Sequence, residues 1–393
     1  MAPGVRRQRP DVCWIETDEA LTSFCERIAG TDVLAIDTEF LREKTYYPQL
    51  CLLQLATREQ LVLIDPLAQV DLGILKPCFA DTSVAKVFHA GDQDRAILFQ
   101  EIGVSARPVF DTQWASMLLG LPLQASLAVL VKRYQGIDLA KMDTFSDWSA
   151  RPLTPRQLAY AADDVRYLPN IYDHMIDELA DVGRLAWLEQ DFEHMAQVAE
   201  TVNEPREMWH KVKHATSLNS GQLARLRELA AWRESTAQKR NLPRKWIMSD
   251  ELLVELVRAD PADLESLFRI RGLRDRLGRL WATEILTTLE EARLLPDDQW
   301  PRRLHANTPK VDNAAAHDLM NALVRLRAHE LHIAPSYLAS ASELKALAAG
   351  EKDLDLFRGW RRDLIGEELL ALLEGRLALS FHAGKLQVTT LSQ

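Results

Sequence analysis

Short apolar runs alternate with amphipathic stretches over the first ~200 residues of this 393-residue chain, and after residue 205 the apolar runs all but stop. That change of rhythm constrains the fold most. Strands alternating with helices build an α/β sheet domain, whereas an unbroken helical text builds a bundle. Val12–Ile15, Val33–Ile36, Leu50–Ala56, Leu61–Ile64 and Ala85–Phe88 read as strands. Helical patterns cover Thr17 to Ala29, with Thr17 or Asp18 as cap, and about Gly91 to Glu101. After Val109-Phe110 they continue over Trp114 to Leu119, Ser126 to Tyr134, and Pro155 to about Asp181. Thr154-Pro155 is a start signal, since proline suits the first helical turn and a threonine oxygen can cap it.

Beyond residue 205 two helical blocks, roughly 210–293 and 313–385, look like degenerate copies of one another. Leu242-Pro243 through Ser249 parallels Ala334-Pro335 through Ser340, and Leu267-Phe268-Arg269 with Arg271-Gly272 parallels Leu356-Phe357-Arg358 with Gly359. The segment 273–278 likewise parallels 360–366, so the matches keep one order at a spacing of about 87 to 92. Leu295–Asp312 carries Pro296, Pro301 and Pro309 and reads as a linker. The expected organisation is an α/β domain over 1–205, a helical module over 206–294, the linker 295–312 and a second helical module over 313–393.

With 47% hydrophobic and 26% charged residues the chain has an ordinary globular composition, which excludes wholesale disorder and a disulfide-dense mini-protein. No apolar stretch approaches the ~20 residues of a membrane span. Cys13, Cys25, Cys51 and Cys78 lie far apart with no CxxC pair, so a zinc site and a disulfide framework are not indicated and a cytoplasmic location is expected. The net charge of −10 conceals a basic middle block, because residues 206–282 hold 16 basic and 10 acidic side chains. Lys211, Lys213, Lys239, Arg240, Arg244 and Lys245 in that block are candidates for phosphate contacts, the alternative being a solvated helical surface. No GxxxxGK[ST] loop occurs, so ATP is not an expected partner.

Three acidic segments carry the chemistry. In Val33-Leu-Ala-Ile-Asp-Thr-Glu-Phe40, Asp37 and Glu39 follow an apolar strand two residues apart, so both leave the same face. Neighbouring carboxylates repel, an arrangement usually tolerated when a cation lies between them. In Val87-Phe-His-Ala-Gly-Asp-Gln-Asp94 a strand gives way to a helix carrying Asp92 and Asp94, and helix capping is the preferred role for Asp92. In Gln157-Leu-Ala-Tyr-Ala-Ala-Asp-Asp-Val-Arg166, Tyr160 and Asp164 share one helix face while Asp163 points about 100° away. His89 reads as a hydrogen-bonding support rather than a ligand. Tyr46 and Tyr47 would either stack on a base or pack a loop, and Trp148 beside Asp147 would line a channel or close the core. For Arg151 and Arg156 a phosphate contact and a structural role stand equally open.

In this order the segments resemble the DEDD superfamily of 3′–5′ exonucleases, and the tyrosine of the third marks its DEDDy branch. The resemblance spans residues ~12–190 and implies a ribonuclease-H-like α/β fold. It also implies that Asp37, Glu39, Asp94 and Asp164 bind metal and that Tyr160 orients the attacking water. The later blocks resemble the helical domain shared by RecQ-like helicases and ribonuclease D, through Pro243, Trp246, Ile247 and Arg271-Gly272, and less closely through Pro335, Tyr337, Leu338 and Gly359. Together they are similar to the bacterial ribonuclease D family over almost the whole chain. The implied activity is a monomeric 3′–5′ exoribonuclease that uses two divalent ions, Mg²⁺ or Mn²⁺. Structured RNA, tRNA precursors above all, is the implied substrate. A DNA exonuclease is the same-class rival, and a binding module without activity the different-class one.

Overall fold

The computed structural model describes residues 11–139, 146–200, 204–273, 279–301 and 313–391. The linker stretch 302–312 with Pro309, and residues 274–278 of the internal repeat, lie outside them. The chain divides into two compact units, one of 1–40, 50–200 and 310–393 and the other of 41–49 and 201–309.

The first unit is built on a mixed six-stranded sheet, β1 (Val12–Ile15), β2 (Val33–Leu41), β3 (Gln49–Ala56), β4 (Leu61–Ile64), β5 (Ala85–Phe88) and β6 (Val109–Asp111), in the order β1-β4-β3-β2-β5-β6. Around it run α1 (Asp18–Arg27), α2 (Lys76–Ala80), α3 (Asp92–Ile102), α4 (Thr112–Leu118), α5 (Leu127–Gln135), α6 (Pro155–Arg166), α7 (Leu168–Asp181) and α8 (Leu185–Glu200). β2 lies in the middle of the sheet, and Val33, Leu34, Ala35 and Ile36 are wholly buried. β2 pairs in parallel with β5, and β5 with β6. All three therefore run toward the same sheet edge, where α/β folds gather their functional residues. β2 differs from its expected extent by continuing to Leu41, so Asp37 and Glu39 stand on the strand itself, past the last β2–β5 partners Ala35 and Val87.

The helical stretch expected from Pro155 to Asp181 is two helices meeting at Tyr167. Pro169 has no N–H to continue the ladder and suits instead the first turn of a new helix.

The second helical block belongs to this first unit: α14 (Ala314–Leu331), α15 (Pro335–Leu338), α16 (Ala341–Ala348), α17 (Gly359–Arg361) and α18 (Glu367–Leu373). It ends in an element the sequence reading missed, an antiparallel hairpin of β7 (Leu377–His382) and β8 (Lys385–Thr390). Ala383 and Gly384 turn it with positive φ at both positions, and its strands alternate but bury little, which hid them from a search for apolar runs. Trp360 stacks on Trp187 of α8 at 5.0 Å, and the Tyr337 hydroxyl donates to Asp191 of the same helix.

The second unit is a helical bundle of α9 (Ser220–Arg240), α10 (Arg244–Ile247), α11 (Asp250–Ala259), α12 (Leu264–Arg269) and α13 (Arg279–Arg293) around Leu226, Leu229, Leu253, Leu256, Leu267 and Ile285. The repeat now has a register. Asn241 after α9 and His332 after α14 are both left-handed C-caps, and Ser249 and Ser340 both cap the helix that follows. Within that register Trp246 is 53% exposed while its counterpart Tyr337 is 3% exposed, so the second copy has turned the aromatic of this edge into an internal contact.

Gly120 has φ +75°, and a Cβ there would lie 2.8 Å from the His332 carbonyl oxygen. Gly120→Ala is expected to lower unfolding free energy by roughly 1–3 kcal/mol in urea titrations. Gly183→Ala, at φ +68° with nothing within 4 Å, should lose only the conformational part of that. Equal losses in the two variants would mean that the His332 contact contributes nothing.

Candidate active site

β2 presents Asp37 and Glu39, and α6 brings Tyr160 and Asp164 to them. α6 starts as the sequence predicts, with Thr154 and Gln157 forming a capping box and Pro155 in the first turn. Ala161 and Ala162 are wholly buried, and their small side chains permit close packing of the helix. As a result Asp37, Glu39 and Asp164 each offer a carboxylate oxygen within 4.8 Å of the others. Asp94, on the first turn of α3, is not part of that trio, and its carboxylate accepts a hydrogen bond from the Thr38 hydroxyl. Its charge still acts on Asp37, Glu39 and Asp164.

Burial first, and like charges second, hold these groups toward the protonated form. Asp37 lies well above the usual carboxylate range because of burial and then of Asp94, Asp164 and Glu39. Glu39 is pushed up to about 8 by burial and by Asp164 and Asp94. Asp164 rises to about 7 through burial and Asp163, against a hydrogen bond from Tyr160. Asp94 is raised by burial although the Thr38 hydroxyl works the other way. The Tyr160 hydroxyl is raised by burial and by Asp164, Glu39 and Asp37, so it stays protonated at neutral pH.

The surrounding candidates resolve into supports. His89 is pushed down to about 4 by burial and its Nδ1 lies 2.9 Å from Thr112 Oγ1, so it is a neutral hydrogen-bonding side chain. Trp148 is buried with its ring 6.3 Å from that of Tyr160. Arg151 is no free phosphate contact, because its guanidinium grips Asp65 through two bonds of 2.6 Å and donates to Trp148, Ala150 and Cys51 carbonyls. Arg156 is exposed on α6. Asp92 does not cap α3: Gly91 is the cap residue, and Asp92 pairs with Arg95 at 2.5 Å. Asp163 is held by Arg166 at 3.1 Å. Tyr46 is taken up in loop packing in the second unit, where its hydroxyl meets Glu234 and Asn241 Oδ1 accepts the Tyr46 and Tyr47 backbone N–H groups.

Also in the second unit, Lys211, Lys213, Arg244 and Lys245 line one cavity of about 290 Å³ together with Arg233, Met208 and Asp250. Lys239 and Arg240 stand apart from it at the end of α9, Arg240 with its guanidinium 5.3 Å from the Trp281 ring centre. Arg244 is already paired with Glu234, and Arg233 with Asp250 at 2.7 Å. Sequence reasoning missed Arg233, whose charge is buried within the helix pattern, and it missed Thr38, Asp111 and Thr112. A signal for the last two exists: Phe110-Asp111-Thr112 ends β6 as Ile36-Asp37-Thr38 continues β2.

The family model described as 3′–5′ exonuclease matches residues 12–180, and that of the HRDC domain matches residues 222–289. Ribonuclease D of Zymomonas mobilis is 38% identical over 386 residues, covering 96% of this chain and 98% of that one. Ribonuclease D of Gluconacetobacter diazotrophicus is 39% identical over 373 residues, or 94% and 95% of the two chains. The crystal structure of Escherichia coli RNase D, described as an exoribonuclease involved in structured RNA processing, superposes with a TM-score of 0.83 at 33% identity, covering 93% of this chain and 99% of that one. The chain belongs to the ribonuclease D family. The catalytic core of RRP6 from Trypanosoma brucei, at 22% identity and a TM-score of 0.55, shares the fold. Among the described residues no helix is long and apolar enough to cross a membrane.

In this family member the donor set fits a divalent cation: three convergent carboxylates, all hard oxygen donors, each raised toward protonation by its neighbours or by burial. Their folded values lie above those of an unfolded chain, near 4. Their stabilising contribution is therefore complete below about pH 4 and is lost as pH rises through 7 and 8. In chelator, the melting temperature should fall between pH 5 and pH 9, and millimolar Mg²⁺ should remove most of the fall. Glu39→Gln should flatten the metal-free profile, and a profile unchanged by that substitution would contradict the charge assignment.

Tyr160 gives a separable test. Tyr160→Phe should lower kcat about 10²–10⁴-fold with melting temperature and RNA affinity little changed. A Phe variant within threefold of the parent kcat would remove the hydroxyl from the chemistry.

Proposed function

We propose that the protein is a metal-dependent 3′–5′ exoribonuclease that releases nucleoside 5′-monophosphates from structured RNAs, tRNA precursors among them. The convergence of Asp37, Glu39 and Asp164, with Tyr160 beside them, carries this reading on a chain of the ribonuclease D family. Asp37, Glu39, Asp94 and Asp164 would hold two ions, Mg²⁺ or Mn²⁺. Such ions, when bound, activate water and offset the charge that develops on the leaving 3′ oxygen. The protein's own groups do the rest. Tyr160, protonated and half-buried at the rim of the acids, holds the attacking water by its hydroxyl. Glu39 and Asp164 give up their protons when they take on a ligand role, so metal affinity should rise between pH 6 and pH 8.

Holding the RNA falls to the first helical module, with Lys211, Lys213 and Lys245 on phosphates, Lys239 and Arg240 alongside, and Arg244 fixed at the same cavity by Glu234. Arg233 lies buried beneath them, paired with Asp250 at 2.7 Å. In the repeat register, Arg233, Arg244 and Lys245 correspond to the uncharged Val324, Pro335 and Ser336 of the second module.

Two measurements check the reading. Matched RNA and DNA oligonucleotides incubated with Mg²⁺ should show 3′ shortening of RNA with release of mononucleotides, abolished by chelator. Faster loss of DNA would favour the deoxy substrate, and turnover that persists in chelator would exclude the metal reading. Lys211→Glu with Lys245→Glu should weaken binding of a long RNA and reduce the slope of log K against log salt by about one unit per lost phosphate contact. Cleavage of a trinucleotide should change much less. An unaltered slope would return these lysines to a solvated surface.

A further inference from the structure

We propose that Asp111, with Thr112 beside it, is the positioning residue for Asp94, holding that acid where the metal site needs it. The proposal rests on the metal-binding role of Asp94 and deepens it.

Asp111 ends β6 with no exposed surface. Its carboxylate accepts the backbone N–H of Gln113 at 2.9 Å and of Trp114 at 3.3 Å, which is the ordinary work of a helix cap for α4. The two remaining bonds have another purpose. They come from Ala90 at 3.1 Å and Gly91 at 2.9 Å, about twenty residues away, in the turn that launches α3. That turn is tight. Ala90 sits at φ +59°, and a Cβ on Gly91 would lie 2.6 Å from Phe88 Cβ. α3 has no side-chain cap of its own, so Asp111 supplies from β6 what the helix start lacks.

Thr112 completes the grip. Its hydroxyl donates to the Phe88 carbonyl at 3.0 Å and shares a 2.9 Å hydrogen bond with His89 Nδ1. Phe88, His89, Ala90 and Gly91 are thus each held by one of two neighbouring side chains, and Asp94 follows three residues later. From the other side Thr38, between Asp37 and Glu39, donates to the Asp94 carboxylate. Asp94 is therefore set by contacts from two strands of the sheet. Groups that orient a metal ligand typically change metal affinity or activity 10–100-fold when removed.

The test is Mn²⁺ binding to the full chain without RNA, followed by calorimetry, with Asp94→Asn, Asp111→Asn and Thr112→Val beside the parent. Asp111→Asn leaves an acceptor oxygen for the α4 cap and the Ala90 N–H, which share Oδ1, but turns an amide N–H toward the Gly91 N–H at the Oδ2 position. It should lose about 10–100-fold in Mn²⁺ affinity and lower kcat with little change in KM for RNA. Thr112→Val should lose several-fold. Asp94→Asn marks the loss when the acid itself is removed. If Asp94→Asn weakens Mn²⁺ binding while both other variants stay within twofold of the parent, Asp111 is only a cap for α4 and the proposal is overturned. If Asp94→Asn binds Mn²⁺ like the parent, the metal role of Asp94 fails and the proposal with it. Should Asp111→Asn not fold, Thr112→Val decides by the same twofold criterion.

Discussion

The repulsion among partly buried carboxylates at one edge of the sheet is the constraint on which the rest of the structure depends. Asp37, Glu39 and Asp164 bring oxygens within 4.8 Å of one another, with the Asp94 charge close enough to act on all three. At an effective dielectric near 20, two unit charges ~5 Å apart repel by roughly 3 kcal/mol. A chain selected only for stability would not keep such a cluster. Without a cation, protonation relieves both the burial of these charges and their mutual repulsion, and Glu39 and Asp164 are raised to about 8 and about 7 by burial first and by like charges second.

What holds the acids together against that force is the sheet. Four buried apolar residues anchor β2 before Asp37, and the parallel pairing of β2, β5 and β6 delivers the residues after each strand to one edge. Two buried alanines on α6 permit the close packing that supports Asp164 and Tyr160. Polar supports then reduce the freedom of two of the acids, Thr38 on Asp94 and Tyr160 on Asp164, while Arg166 holds the adjacent Asp163. The two helical blocks use their matching positions differently. The first keeps Lys211, Lys213, Arg244 and Lys245 around a cavity, whereas the second spends the matching edge on Asp191 through Tyr337.

The strands and the pairings Asp37/Glu39 and Tyr160/Asp164 were legible in the sequence because they rest on local rules, whereas the meeting of the two pairs was implied only by the family resemblance. A run such as Val33–Ile36 announces a buried strand, residues two apart share its face, and residues four apart share a helix face. Features that depend on distant partners were not legible. Asp111 looks like any strand-end acid until its N–H donors twenty residues earlier are seen. Arg151 is an arginine near the third motif in the sequence and a clamp on Asp65 in the fold. The hairpin Leu377–Thr390 alternates without burying much, so its signal lies in the turn rather than in hydrophobicity. Acids favour helix starts and Asp92 stands at one, but the Gly91 N–H at the start of α3 is taken by Asp111 from another strand.

The most direct test of the central claim is anomalous scattering from Mn²⁺ in crystals of the full chain. The account predicts Mn²⁺ bound by carboxylate oxygens of Asp37, Glu39 and Asp164, with Asp94 ligating within the same cluster. Mn²⁺ found only elsewhere on the protein, with these four carboxylates free of it at millimolar concentration, would contradict it.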